Sequence, residues 1–382
     1  MVIVDLIGFG IVVPVLPFLA KQLGAGATAL GVLVAAYSAA QFAMAPLWGR
    51  LSDRIGRRRV MLITVAGTAL SLLALGLSRS LVAMLAARLL GGAFAGNLGV
   101  AAAYIADVTT EQERTRWMGL LGASFGVGFV LGPAIGGALA PFGYSVPMLA
   151  AAGLAGLNWI QAALRLREPP EHARADEAPP ASRFAALRDP LVRRLCLAWL
   201  AFSLAVTQLE TIFAYFMMDR FGYDAHQVAF ILVGMAIVMG AIQGGGMRLL
   251  ASHFGERALV IAGSLGLAAC FALVPTVHSI GLLIAVLTGC AVSRAVVQPP
   301  LMSMASLAAT AASRGAVMGT FQSSGSLARA VGPLLAGALY ALGLPLPFAL
   351  GGALLLAVAL LGRALPERER GPSSLGEAGA AG

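Results

Sequence analysis

Residues 114–140 read RTRWMGLLGASFGVGFVLGPAIGGALA, and residues 314–340 read RGAVMGTFQSSGSLARAVGPLLAGALY. Laid over one another without a gap, the two stretches share nine of 27 positions: Arg114 with Arg314, Met118 with Met318, Gly119 with Gly319, Ser124 with Ser324, Gly132 with Gly332, Pro133 with Pro333, Gly137 with Gly337, Ala138 with Ala338 and Leu139 with Leu339. That is more than a Gly/Ala/Leu-rich composition gives by chance, and self-similarity at a fixed offset marks a repeated structural unit. Each copy also contains an apolar run long enough to cross a bilayer, which takes about 20 residues. The repeat predicts two halves of the same orientation.

Composition agrees. Of 382 residues, 59% are hydrophobic and 11% charged, and the mean hydropathy is +0.87, which excludes a soluble domain with its roughly 25% charged residues. Apolar runs of helical length recur without the ten-residue alternation of a membrane β-barrel. Twelve spans are expected, at about 1–20, 29–50, 60–78, 81–106, 116–140, 144–165, 192–218, 225–250, 258–276, 279–307, 315–341 and 344–363. The fold class is an all-α polytopic membrane protein, with residues 1–165 and 191–365 forming two pseudo-symmetric six-helix bundles. Between them, 166–190 carries Pro169, Pro170, Pro179 and Pro180 with charges of both signs and reads as a cytoplasmic linker. Residues 366–382 read as a disordered tail.

The net charge of +9 would suggest nucleic acid in a soluble protein, but here it marks one membrane face. Among the 26 Lys and Arg, only Lys21, Arg79 and Arg220 fall in odd-numbered loops and only Arg88, Arg294 and Arg329 within spans; the rest sit in even loops, the linker and the tail. The positive-inside bias then puts both termini in the cytoplasm of a cell-membrane protein. The opening Met1-Val2-Ile3-Val4-Asp5 has no basic stretch or small-residue cleavage site, so the first segment is expected to stay. Cys196, Cys270 and Cys290 are far apart in apolar runs, which offers no disulfide framework and no metal-ligand spacing.

Between spans 2 and 3 stands Gly49-Arg50-Leu51-Ser52-Asp53-Arg54-Ile55-Gly56-Arg57-Arg58-Arg59. Gly49 and Gly56 permit a tight turn, Asp53 can meet a helix N-terminus or an arginine, and Arg54, Arg57 and Arg58 can hold the loop at an anionic leaflet. The stretch resembles the loop signature of the major facilitator superfamily, and the resemblance implies a cytoplasmic gate that latches the two halves. The second-half loop keeps Gly255 but has Ser252 where Asp53 would map, so a one-sided latch is expected. In span 5, Gly128, Gly132, Pro133, Gly136 and Gly137 resemble the signature of the antiporter branch of that superfamily; glycines four apart let membrane helices touch closely. Asp5-Leu6-Ile7-Gly8-Phe9-Gly10 through Pro14 and Pro17 resembles the first helix of twelve-helix drug/proton antiporters, and 88–137 is similar to tetracycline/proton antiporters. The third span lacks the acidic residue usual in tetracycline exporters.

Ionisable groups within spans are costly, by about 2.5–3.5 kcal/mol or more at the helix centre, and mark functional sites. Asp5, Glu210, Arg88 and Arg294 are the proton-coupling candidates, with Arg329 ranked behind them. A carboxylate in an apolar cavity is neutralised more easily than in water, which suits proton carriage by Asp5 or Glu210; Glu210 is alternatively an ion-pair partner of Arg294, and Arg88 of a carboxylate. Asp107 is expected to cap a helix or pair with Arg114 or Arg116. Candidates for the substrate cavity are Gln41, Asn97, Gln208, Phe213, Tyr215, Gln298 and Gln322. The lining suits an amphipathic organic compound, cationic if it meets Asp5 and Glu210.

The resulting expectation is proton-driven efflux of lipophilic compounds by rocking of the halves about one site. A symporter or facilitator of a small metabolite on the same fold is the alternative. A membrane enzyme would need clustered catalytic groups, whereas His172, His226, His253 and His278 are scattered, and no Gly-x-x-x-x-Gly-Lys-Ser/Thr loop for ATP occurs. No cofactor is expected beyond the coupling proton, and the partners are a small-molecule substrate and the bilayer, with no nucleic acid and a monomeric chain.

Overall fold

Lipid offers no hydrogen-bond partners, so a spanning backbone must satisfy itself within a helix. The computed structural model, which describes residues 1–169, 185–309 and 314–366, has twelve helices long and apolar enough to span. They are α1 (Val2–Gln22), α2 (Ala27–Ile55), α3 (Arg57–Gly76), α4 (Leu81–Val108), α5 (Glu111–Leu139), α6 (Ser145–Arg165), α7 (Pro190–Phe221), α8 (Ala225–Gly246), α9 (Glu256–Leu273), α10 (Ile280–Leu307), α11 (Arg314–Leu342) and α12 (Leu346–Arg363). Several outrun the apolar runs that announce them: α2 extends to Ile55 and α7 begins at Pro190, because polar first and last turns remain helical outside the apolar stretch. The expected tail and most of the linker lie outside the described residues.

Local chemistry sets the helix ends. Asp189 accepts from Leu191 N at 2.7 Å to start α7, and Asp224 and Gln227 form a reciprocal capping box at α8. Gly56 and Gly255 turn the chain between α2 and α3 and after α8 with φ of +103° and +73°, a region open to glycine. Thus the two loops are conformational equivalents, as their shared glycine suggests.

Packing repeats between the halves. α1 lies against α5 and α6 as α7 lies against α11 and α12, and α3 against α4 and α6 as α9 against α10 and α12. Glycines make the contacts close. Gly128 meets Leu6, Gly132 meets Gly10 and Gly136 meets Ile11, so three glycines four apart seat α5 on α1; Gly332 seats α11 on Thr207 of α7 in the same way. Cys270 and Cys290, remote in sequence, face one another as free thiols across α9 and α10.

The halves meet through α2 with α11 and α5 with α8. Gly31 lies on Pro333, Gly337 on Ala27, and Gly137 on Ala229. All these residues are at the face opposite the one from which both chain ends leave, called here the opposite and the terminal face. Toward the terminal face the partners part. Residues 116–123 of α5 and 230–246 of α8 include none that is buried, and α8 buries only Ala225, Val228 and Ala229, at its first turns. The bundle is closed at the opposite face and open at the terminal face.

Candidate functional site

In the first half, α1 places Asp5 one turn before its glycine contact with α5. The carboxylate accepts from Asn97 Nδ2 of α4 and, at 2.7 Å, from Asn158 Nδ2 of α6. Asn158 also donates to Met1 O at 3.1 Å. Both carboxamides are buried, and among the described residues their Oδ1 atoms have no partner. Asp5 is therefore half-buried, held by three helices, with no cation on its oxygens among the described residues. Asn158 was not among the sequence candidates, although the rule that singles out Asn97, a carboxamide inside an apolar span, applies to it equally.

Asn97 stands just after a break in α4, whose helical parts are Leu81–Phe94 and Asn97–Val108. A break frees carbonyls that must be satisfied. α2 supplies the donors: Trp48 Nε1 to Ala93 O at 2.5 Å and Gln41 Nε2 to Ala95 O at 3.1 Å. Gln41 accordingly holds the break rather than standing free for a substrate. Arg88, expected to pair with a carboxylate, is 7% exposed, stacks at 4.3 Å on the Tyr37 ring and donates to Leu33 O at 3.3 Å.

The second half carries its charges at mid-depth. Arg294 Nη1 of α10 meets Glu210 Oε1 of α7 at 2.6 Å, with the Glu210 side chain 49% exposed. Arg329 of α11 lies within the electrostatic reach of Glu210, is exposed and donates to Ser326 Oγ at 3.0 Å. Gln298 is half-buried on α10, one turn from Arg294, and Gln322 is exposed on α11, one turn before Ser326. Charged groups at this depth face water or partners rather than lipid, so these side chains are the candidates for the wall of a cavity between the halves. Gln208, Phe213 and Tyr215 do not join it. Gln208 is fully buried and ties α7 to Gly332 O of α11 at 3.3 Å. Phe213 is in the core at 4% exposure. Tyr215 donates across the halves to Ala25 O at 2.8 Å. The cationic expectation rested on free carboxylates, and both have partners.

The loop between α2 and α3 is organised around Arg57, which meets Asp53 at 2.5 Å and Asp107 of α4 at 2.9 Å and donates to Ser52 Oγ at 2.6 Å. Asp107 thus pairs with the loop arginine; the side chain of Arg114, one of its expected partners, lies outside the described residues. Arg58 donates to Ala163 O and Leu166 O, both at 2.8 Å, and its backbone N–H to Glu168 at 3.1 Å, so it closes the C-terminus of α6 rather than reaching a leaflet. Gly49 has open space around it, and Arg54 is exposed. Among the described residues, the bonds of this loop stay within the first half, and the expected latch to the second half is not among them. At the equivalent place in the second half, Ser303 of α10 donates to Glu256 of α9 at 2.5 Å.

The opposite face is closed by polar contacts as well as glycines. Lys21 meets Asp219 at 2.8 Å, Tyr340 donates to the same carboxylate at 3.0 Å, and His226 Nδ1 is 2.9 Å from Gly137 O.

Twelve spans in two like-oriented halves, with paired charges at mid-depth, are the architecture of a membrane transporter. The family model of the Major Facilitator Superfamily matches residues 1–253 and 211–381, and the chain belongs to that family. It is 32% identical over 347 residues to the class D tetracycline resistance protein of Salmonella ordonez, covering 87% of this chain and 86% of that one. It is 29% identical to multidrug resistance protein 1 of Bacillus subtilis (strain 168), covering 90% and 88%. The crystal structure of the human organic anion transporter MFSD10 superposes with a TM-score of 0.70 at 29% identity, over 94% of this chain and 96% of that one.

Proposed function

We propose that the protein is a proton-coupled exporter of amphipathic organic compounds, working by alternating access in the cell membrane with the terminal face in the cytoplasm. The observation that carries this reading is the Asp5 cluster: a half-buried carboxylate with two carboxamide donors and no cation, on the helix that packs against the antiporter-like glycines of α5. Such a group can exchange a proton without breaking an ion pair. The relatives named for tetracycline and multidrug resistance support export of drug-like molecules, and the Arg-rich terminal face supports a cytoplasmic assignment through the positive-inside bias. Protons are carried by the first half and substrate by the second, coupled because each must pass the same closing contacts.

The test is proton movement in energised inside-out vesicles on addition of cationic, neutral and anionic compounds. Compound-driven proton release in wild type, lost in Asp5→Asn, is the expected result. Transport that proceeds without proton movement in wild type would favour facilitated diffusion instead.

A further inference from the structure

The charges within the spans do not balance. Asp5 is satisfied by Asn97 and Asn158 and Glu210 by Arg294, while Arg88 is stacked on Tyr37 and buried. Arg329 is different. Its bond is to a neutral hydroxyl on its own helix, it is exposed on the same level as Glu210, within that carboxylate's electrostatic reach, and no carboxylate pairs with it among the described residues. Beside it, Arg294 uses Nη1 on Glu210 and leaves a buried Nε without a partner. Two guanidinium groups therefore share one carboxylate at mid-depth, where an uncompensated cation is costly. Gln322, Ser326 and Arg329 follow one another at helical spacing along one face of α11, and Gln298 follows Arg294 on α10, so neutral donors flank the excess charge.

We propose that Arg329, assisted by Arg294, binds an anionic group of the transported compound: a carboxylate, sulfonate or phosphate. A guanidinium presents five N–H donors in a planar fork that matches such oxygens two at a time. The apolar remainder of the compound would lie along the cavity. This rests on the reading of the cavity as the transport site, but needs no particular coupling ion. A lipid phosphate would offer the same chemistry, and the test separates the two.

The measurement is equilibrium binding of three fluorescent probes that share a dansyl group and end in a sulfonate, a hydroxyl or a trimethylammonium, using full-length protein in phosphatidylcholine nanodiscs. The ratio of sulfonate to hydroxyl affinity should exceed one in wild type and fall at least about tenfold in Arg329→Gln, the scale of one charge-assisted hydrogen bond. Arg329→Lys should keep part of the preference. An unchanged ratio in Arg329→Gln, or an equal loss for all three probes, would overturn the proposal. So would loss of the wild-type preference on adding phosphatidylglycerol, which would assign the site to lipid phosphate. Because no proton is followed, failure here and failure of proton-coupled export are separate results.

Discussion

Asn97 Nδ2 donates to Asp5, and Asn97 is also the first residue of the short helix Asn97–Val108 whose last turn holds Asp107 on Arg57. One rigid segment thus touches the proposed proton site at one end and the loop between α2 and α3 at the other. A change in the charge of Asp5 alters what Asn97 must do, since a carboxylic acid needs an acceptor where a carboxylate needs a donor. The unpartnered Oδ1 of Asn97 is the acceptor at hand, and the break at Ala95 gives the segment room to turn.

Removing either carboxamide should impair coupling. A hydrogen bond to a charged group contributes about 1.5–3 kcal/mol, so Asn97→Ala and Asn158→Ala are each expected to cut compound-driven proton release by roughly tenfold or more in inside-out vesicles. Gly119→Ala, whose added Cβ would meet open space, should match wild type. Full proton release in Asn158→Ala would remove Asn158 from the site.

The Arg57–Asp107 pair is only partly exposed, at 20% and 30%, and should count for more than a surface pair of about 0–1 kcal/mol. Arg57→Gln and Asp107→Asn are each expected to slow transport, with the double variant no slower than the worse single one. A double-mutant cycle on transport rate should return a coupling of about 1–3 kcal/mol. Strict additivity would mean that the two residues act independently.

Much of this was legible in the sequence because it depends on local pattern. The twelve spans follow from apolar run length, and the like-oriented halves from the offset of 200 residues between Gly132-Pro133 and Gly332-Pro333; the Glu210–Arg294 pair stood in the sequence only as the alternative to proton carriage by Glu210. The roles of Gln41, Gln208 and Tyr215 were not legible. Each serves a backbone carbonyl on another helix, Ala95, Gly332 or Ala25, and nothing in the chain near the glutamine or tyrosine announces a carbonyl that lies 54, 124 or 190 positions away. The polar residues of the spans read in the sequence as lining of a substrate cavity; which of them a backbone carbonyl takes up instead is decided by packing.

Closure at the opposite face depends on Asp219, which receives Lys21 from α1 and Tyr340 from α11. With side chains 47% and 42% exposed, the ion pair contributes no more than about 1 kcal/mol, a factor of about five in a two-state population. Asp219→Asn should therefore shift the equilibrium without abolishing it. Spin labels at Leu23 and Tyr223, one in each half, are expected to show a larger long-distance population by electron-electron resonance in the variant. An unchanged distribution would leave closure to the glycine contacts alone.

Those glycine contacts make the sharper test, because interfaces between packed helices are bistable rather than continuously deformable. Gly337 lies on the backbone of Ala27 and Gly31, and Gly31 on that of Pro333, so no side chain can move aside to admit a larger residue. Gly337→Leu should wedge α11 from α2 at the opposite face, holding the transporter open there. Transport is expected to fall by at least about tenfold, and the Leu23–Tyr223 distance should lengthen further than in Asp219→Asn. The helices themselves remain intact, because leucine is a good helix former, so circular dichroism should be unchanged. If Gly337→Leu transports normally with the opposite face still closed, the close approach of α2 and α11 is not the contact that alternation makes and breaks.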